Sequence, residues 1–214
     1  INPAMYKKVP YDALRDFAPI TQMASLPNVL VVHPSLPAKS VRELIALAKA
    51  KTGQIVFGSA GNGTSPHLSI ELLLSMTGTR MLHVPYKGPT PALIDLLGGR
   101  VSVVASSSSG VVNHVRSGRL RALGVTTAKR TSTLPEISTI AEAGVPGYES
   151  TQWHALLAPA GTPDEIITRL HKEFTAVLLS AEVKERVAAE GSEIVAGTPA
   201  ELAAYLRSET AKWA

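Results

Sequence analysis

The sequence predicts an α/β fold on a mostly parallel sheet, and three observations predict it. Short β-branched apolar runs alternate with amphipathic stretches between residues 28 and 125. The joints between them are short and carry glycine, proline and small hydroxylated residues. Residues 55–76 set an apolar run, a glycine-rich turn and an amphipathic run end to end. Strands that alternate with helices through short loops form βαβ units, whose strands run parallel.

Taken in order, residues 1–21 are polar, with prolines at positions 3, 10 and 19. They read as a connector holding at most a helical turn near residues 11–17. The β-branched run from Asn28 to His33, stopped by Pro34, reads as a buried strand. Ser40 and Glu43 have the spacing of a capping box, and Leu44, Ile45, Leu47 and Ala48 form the inner stripe of the helix that follows, ended at Gly53. A strand over residues 55–57 enters the glycine-rich turn. Thr64 or Ser65 caps the next helix, Pro66 suits its first turn and Gly78 closes it. A strand over 81–84 runs into Tyr86-Lys87-Gly88-Pro89, and a helix starts at Thr90 or Pro91 and ends at Gly98-Gly99. A strand over 101–105 opens into the serine run 106–109, followed by a short helix over 111–117 and a strand over 120–125.

Beyond Thr127 the texture changes. A loop with a short helix around 140–143 leads to an extended segment over 148–159. A long amphipathic helix from Pro163 to about Leu179, another over 181–189 and a last one from Thr198 to Trp213 complete the chain. The predicted division is an α/β lobe over 28–149 and a second lobe assembled from 1–27 and 150–214.

Ligands of such sheets sit beyond the carboxyl ends of the strands. Three loops lie there, and their residues are the candidate ligand contacts: Ser59, Ala60, Asn62, Gly63, Thr64 and Ser65 in the first, Tyr86 and Lys87 in the second, Ser106 and Ser107 in the third. Backbone N–H groups at a helix start carry partial positive charge and face an anion well. Hydroxyls and the Lys87 ammonium add donors, so the expected ligand is a carboxylate or similar anion. The same serines and glycines also serve any capped βα turn. The loop is not a phosphate P-loop, since no Gly-Lys-Ser/Thr ends it, and Gly58, Gly61 and Gly63 do not keep the dinucleotide spacing.

Composition narrows the classes further. Apolar residues make up 45% and charged residues 18%, as in a globular protein with a sizeable core. The net charge of +4 comes from scattered lysines and arginines, and aromatics are only 5%, so no nucleic-acid partner is expected. With no cysteine, a disulfide framework and a thiolate metal site are excluded. His67 falls on the following helix, and His33, His83, His114, His154 and His171 show no paired metal spacing, so no metal and no cofactor are expected. Ser59 lies in Gly-Ser-Ala-Gly, not in a Gly-x-Ser-x-Gly elbow, and no catalytic residue is assigned. The alternative to a binding protein is a lyase or hydrolase of a small carboxylic acid, which needs a base in the cleft. No apolar run reaches the roughly 20 residues that span a bilayer, and no signal peptide is visible. The chain opens at Ile1 without an initiator methionine, so a preceding segment is expected to be missing.

These stretches together resemble one family. Asp16-Phe17-Ala18-Pro19-Ile20, the run from Gly58 to Leu68, His83-Val84-Pro85-Tyr86-Lys87-Gly88 and Asp95-Leu96-Leu97-Gly98-Gly99 carry the likeness. So do Ile1-Asn2-Pro3, the run from Ser117 to Leu123, Leu134-Pro135-Glu136, Ala141-Glu142-Ala143-Gly144, Trp153 and the run from Ala158 to Pro163. The chain resembles the Bug-type extracytoplasmic receptors of tripartite tricarboxylate transporters. The resemblance implies a two-lobed clamshell of the type II periplasmic binding-protein kind, with mostly parallel sheets, that takes a small carboxylate and hands it to a membrane permease. It implies a periplasmic receptor and no enzyme. Such receptors open with an export signal and then a strand, glycine-rich loop and helix of lobe one. None of these is seen here, so lobe one is expected to be incomplete, with an apolar face left open to self-association. In the family the strand before the third loop ends in an acidic or aromatic pair; here it ends Ala105-Ser106-Ser107-Ser108.

Overall fold

The computed structural model describes residues 5–213. The Ile1-Asn2-Pro3 stretch and the outermost ends of the lobe assembled from both termini lie outside the described residues. The chain forms two compact units, one of residues 26–152 and one of residues up to 25 together with those from 153 on.

In the unit 26–152 the strands β1 (Phe17–Val32), β2 (Val56–Ser59), β3 (Leu82–Pro85), β4 (Val103–Ser107) and β5 (Arg121–Val125) form a sheet in the order β3-β2-β4-β1-β5. Between them lie helices α1 (Val41–Ala50), α2 (Ser65–Thr77), α3 (Pro89–Leu97) and α4 (Ser108–Arg116). Both sheet faces are covered, and the strand sequences show it. Leu30 and Val32 pack with Val103, Ala105 and Phe57 under α1 and α2, on the side that also holds Leu44, Ile70, Leu73 and Tyr148. Val29, Val31 and Val104 point the other way, onto Leu96, Val111 and Leu120. A period of two with both registers apolar marks a strand buried on both faces.

The α/β expectation holds, and the parallel reading holds for β2 with β3 and β2 with β4. It gives way at β1, which is antiparallel to both β4 and β5. Alternation of strands and helices along the chain cannot report this, because β1 is inserted between two strands that follow it by more than 70 residues. A second correction concerns the N-terminal connector. Residues 17–21 are strand, the first part of the 16-residue β1. Pro19 and Pro27 lack an N–H and read locally as breaks, but pairing with distant strands holds the segment extended.

Helix ends follow the sequence closely. The Ser40 hydroxyl accepts from the Glu43 amide at 3.2 Å, while the Glu43 carboxylate takes the amide of Lys39 rather than that of Ser40. Gly78 caps α2 in the left-handed region at φ +62°. α3 starts at Pro89 and α4 at Ser108, earlier than expected, and the short helix expected near 140–143 is a single turn closed by the Ala143 amide on the Thr139 carbonyl.

In the other unit, β1 pairs with β6 (Thr151–Pro159), and its Ala24 and Ser25 pair with Ile194 and Glu193 of β7 (Glu193–Ile194). Helices α5 (Asp164–Leu178), α6 (Ala181–Ala189) and α7 (Pro199–Lys212) accompany them. Ile20, Ala158, Leu202 and Leu206 are its buried apolar residues. Thr198 and Glu201 form the full reciprocal capping box of α7. Trp153 lies edge-on to Tyr205, with ring centroids 5.5 Å apart.

Candidate functional site

Because β2, β3 and β4 are parallel, their carboxyl ends at Ser59, Pro85 and Ser107 fall on one edge of the sheet. The three candidate loops therefore lie side by side. The first two are tied together: the Tyr86 amide donates to the Ser59 carbonyl at 3.0 Å and the Gly88 amide to the Ala60 carbonyl at 3.1 Å. Two glycines permit the approach. A Cβ on Gly58 would meet the Tyr86 ring at 3.2 Å, and Gly61, at φ +133°, would press one onto the Tyr86 carbonyl at 3.3 Å.

The candidate residues have different surroundings. Ser59 is fully buried; its hydroxyl accepts from the Gly61 amide at 3.1 Å and contacts Nε2 of His83 at 2.7 Å. The Gly63 amide donates to Nδ1 of His67 at 3.1 Å. Thr64 turns its hydroxyl onto the Gly61 carbonyl at 2.7 Å and makes no side-chain cap. The amides of Asn62, Ser65 and His67 have no hydrogen-bond partner among the described residues. Pro66, between the last two, has no N–H to offer. Asn62 and Lys87 are exposed.

The Tyr86 side chain is engaged by α3. Its hydroxyl donates to Asp95 at 2.6 Å, and burial together with that carboxylate pushes the phenol up to about 12. The Arg100 guanidinium beside Asp95, and then Tyr86, hold the carboxyl below its ordinary range. Ser106 is buried and Ser107 half-buried, with hydroxyls near the start of α4. Next to them Ser108 is buried with its hydroxyl unpartnered among the described residues.

Sequence reasoning missed two features. The first is a stack of rings under the loop. Phe57 and His83 are register partners on β2 and β3, with centroids 4.7 Å apart, and His67 lies on His83 at 4.1 Å. Burial, and then the neighbouring His67, lower His83 to about 4. Burial also lowers His67 against the opposing pull of Glu71, 3.6 Å away. Both imidazoles are thus neutral near pH 7, as the acceptor role of His67 Nδ1 requires. Parallel alignment of residues 57 and 83 was the available signal, but it needs the strand pairing.

The second is a buried polar cluster behind the start of α2. Asn28 is 1% exposed, and its side-chain amide donates to the Ser65 hydroxyl at 2.8 Å and reaches Ser69 Oγ at 3.5 Å. Ser69 Oγ donates to the Ser65 carbonyl at 2.8 Å and lies 2.9 Å from Ser150 Oγ. Tyr148, fully buried, donates to the Ser69 carbonyl at 2.7 Å. Asn28 also exchanges backbone contacts with Thr126, and it faces Ser107 across β1 and β4.

The arrangement is therefore a helix start with open amides and an open hydroxyl proton, rimmed by hydroxyls and one exposed lysine. It can hold an anion by charge-assisted hydrogen bonds. Among the described residues no group of three or more His, Asp or Glu is placed to hold a metal. No helix among them is long and apolar enough to cross a membrane.

Comparison with known proteins gives a consistent picture. The sequence pattern described as "Tripartite tricarboxylate transporter family receptor" matches residues 1–214. Protein BugT of Bordetella pertussis is 36% identical over 99% of this chain and 65% of its own length. Among solved structures, R. palustris Rpa4515 with adipate is 39% identical, covering 97% of this chain and 70% of that one, with a TM-score of 0.84. MatC (Rpa3494) from Rhodopseudomonas palustris with bound malate is 26% identical, covering 99% of this chain and 73% of that one, with a TM-score of 0.86. The chain spans 62–65% of the length of the curated relatives matched over nearly all of it.

Proposed function

The chain belongs to the tripartite tricarboxylate transporter receptor family, and from that premise we propose that it is a periplasmic solute receptor that captures a small carboxylate for a membrane permease. One observation carries the reading. The amides of Ser65 and His67 and the Ser65 hydroxyl proton meet at the start of α2 without a partner among the described residues, where the helix dipole favours negative charge. A ligand carboxylate fills that gap. The ligand-facing set is the backbone of Asn62, Ser65 and His67, with Ser65, Lys87, Ser106 and Ser107 through their side chains, while Ser59 and Thr64, whose hydroxyls are engaged within the loop, shape it. The adipate and malate found on structural neighbours support dicarboxylates as the class to test first.

A hydrolase reading has one observation in its favour, the 2.7 Å contact of Ser59 with His83, which has the form of a nucleophile beside a base. Ser59 is 0% exposed, however, and its oxygen already accepts the Gly61 amide. A substrate carbonyl has no path to it, so the contact serves the loop's shape and the function is binding.

A second copy of the chain is a further partner in this proposal. It is supported by the exposed Ile166, Phe174 and Val177 on α5, and a concentration-dependent mass in light scattering tests it. For the ligand, a thermal-shift screen across di- and tricarboxylates, aromatic acids and amino acids is decisive. A ligand at a hundred times its Kd adds roughly 2.7 kcal/mol, or about 5–10 °C in Tm for a chain of this size. A rise confined to carboxylates supports the reading; no rise with any of them, or turnover of one, contradicts it.

A further inference from the structure

The buried cluster behind α2 has a donor order that can be worked out proton by proton. The Ser69 hydroxyl has one hydrogen, and the Ser65 carbonyl 2.8 Å away can only accept, so that hydrogen goes there. Ser69 Oγ is then an acceptor towards its other two neighbours, Ser150 and Asn28. The Asn28 NH2 is placed towards Ser69, where its carbonyl oxygen would face an acceptor with an acceptor. The same NH2 donates to Ser65 Oγ at 2.8 Å. The Ser65 hydroxyl accepts from behind, and its own hydrogen has no acceptor among the described residues. Ser65 also carries one of the open amides at this helix start, two residues before that of His67.

We propose that Asn28 is a positioning residue of the anion site: by donating to Ser65 it turns the serine hydrogen outward, so that the hydroxyl serves the ligand as a donor. The inference rests on the receptor reading above. Asn28 contributes no ligand contact of its own in this scheme. It acts through Ser65, 37 residues further along the chain, and is held in place by Thr126 Oγ1, which accepts its backbone amide at 3.1 Å. An aspartate at the same position would reverse the order. Its carboxylate accepts the Ser65 hydrogen and adds a negative charge behind the site.

The test is calorimetric titration of the chain with malate and with adipate, on the parent and on Asn28→Ala, Asn28→Asp, Ser65→Ala and the Asn28→Ala/Ser65→Ala double variant. Tm is recorded for each. Ser65→Ala is expected to weaken binding about tenfold, and Asn28→Ala by a similar factor. The double variant binds no more weakly than Ser65→Ala alone, because the two act through one hydrogen. Asn28→Asp weakens binding further than Asn28→Ala. A merely structural role for Asn28 lowers Tm but leaves the two binding losses additive, and that result overturns the proposal. So does Ser65→Ala binding as tightly as the parent, which needs no Asn28 variant to fold. If the parent binds while the variants are uncoupled, this inference fails and the receptor reading stands. If the parent binds neither these acids nor any other carboxylate, the reading fails and takes the inference with it.

Discussion

Helices α2 and α5 carry comparable apolar content, and they end in different environments. α2 buries Ser69, Ile70, Leu73 and Leu74 against its own sheet. α5 is the more regularly amphipathic by pattern, with Ile167, Leu170, Phe174 and Leu178 at helical spacing, yet it buries no residue fully. Its Ile166 remains 49% and its Val177 60% exposed. Periodicity therefore names the face a helix offers and says nothing of how completely that face is covered. In the unit 26–152 a sheet with two apolar faces meets four helices, and the candidate site sits on the edge of that closed core. The elements on either side of its loop both enter that core, β2 through Phe57 and α2 through Ile70, Leu73 and Leu74.

Core deletion tests the contrast most strongly. Phe57→Ala removes a fully buried ring and the base of the histidine stack. Unfolding in urea should show a loss of about 3–5 kcal/mol. Phe174→Ala on the exposed α5 should lose well under that, about 1 kcal/mol or less. Equal losses would mean that α5 is as deeply packed in solution as α2.

Ligand affinity comes next. Thr64→Val, acting through the loop whose Gly61 carbonyl its hydroxyl holds, and Lys87→Ala should each weaken carboxylate binding by about tenfold, or ~1.4 kcal/mol, and Tm should stay nearly unchanged in Lys87→Ala. Titration calorimetry on both variants checks this, and parent-like affinity in both would move the anion off these loops.

Tyr148→Phe should destabilise the chain by about 1 kcal/mol, since it deletes a buried hydrogen bond to a helical carbonyl. The acid response has a definite sign. The folded chain holds His83 near 4 against an ordinary 6.5, so the unfolded chain takes up the proton first. Stability from this group is complete above 6.5 and is lost as the pH falls towards 4. His83→Gln should flatten that part of a Tm–pH curve; an unchanged slope would show that the stack does not titrate. The smallest effect is expected at Val177→Ser, within about 0.5 kcal/mol, with any self-association reduced.

How much of this was legible in the sequence depends on how local the signal was. Ser40, Gly78, Gly98 and Thr198 mark helix ends by chemistry confined to a few residues, and each lies at or beside an observed boundary. The meeting of the three loops was also legible, because parallel strands bring their carboxyl ends together whatever their order. The long β1 was not, because Pro19 and Pro27 signal breaks while the force that keeps the segment extended comes from strands far along the chain. Asn28 read as the polar start of a strand, and His83 as a lone histidine within one. Their roles exist only once residues 28 and 65, or 57, 67 and 83, are neighbours.

The central claim is that an anion sits at the start of α2. It is tested most directly by following the backbone amide resonances of 15N-labelled protein during titration with malate and adipate. The amides of Asn62, Ser65 and His67 should shift first and furthest, followed by those of Lys87 and Ser106. Saturable binding that moves amides elsewhere and leaves residues 60–67 in place would contradict it.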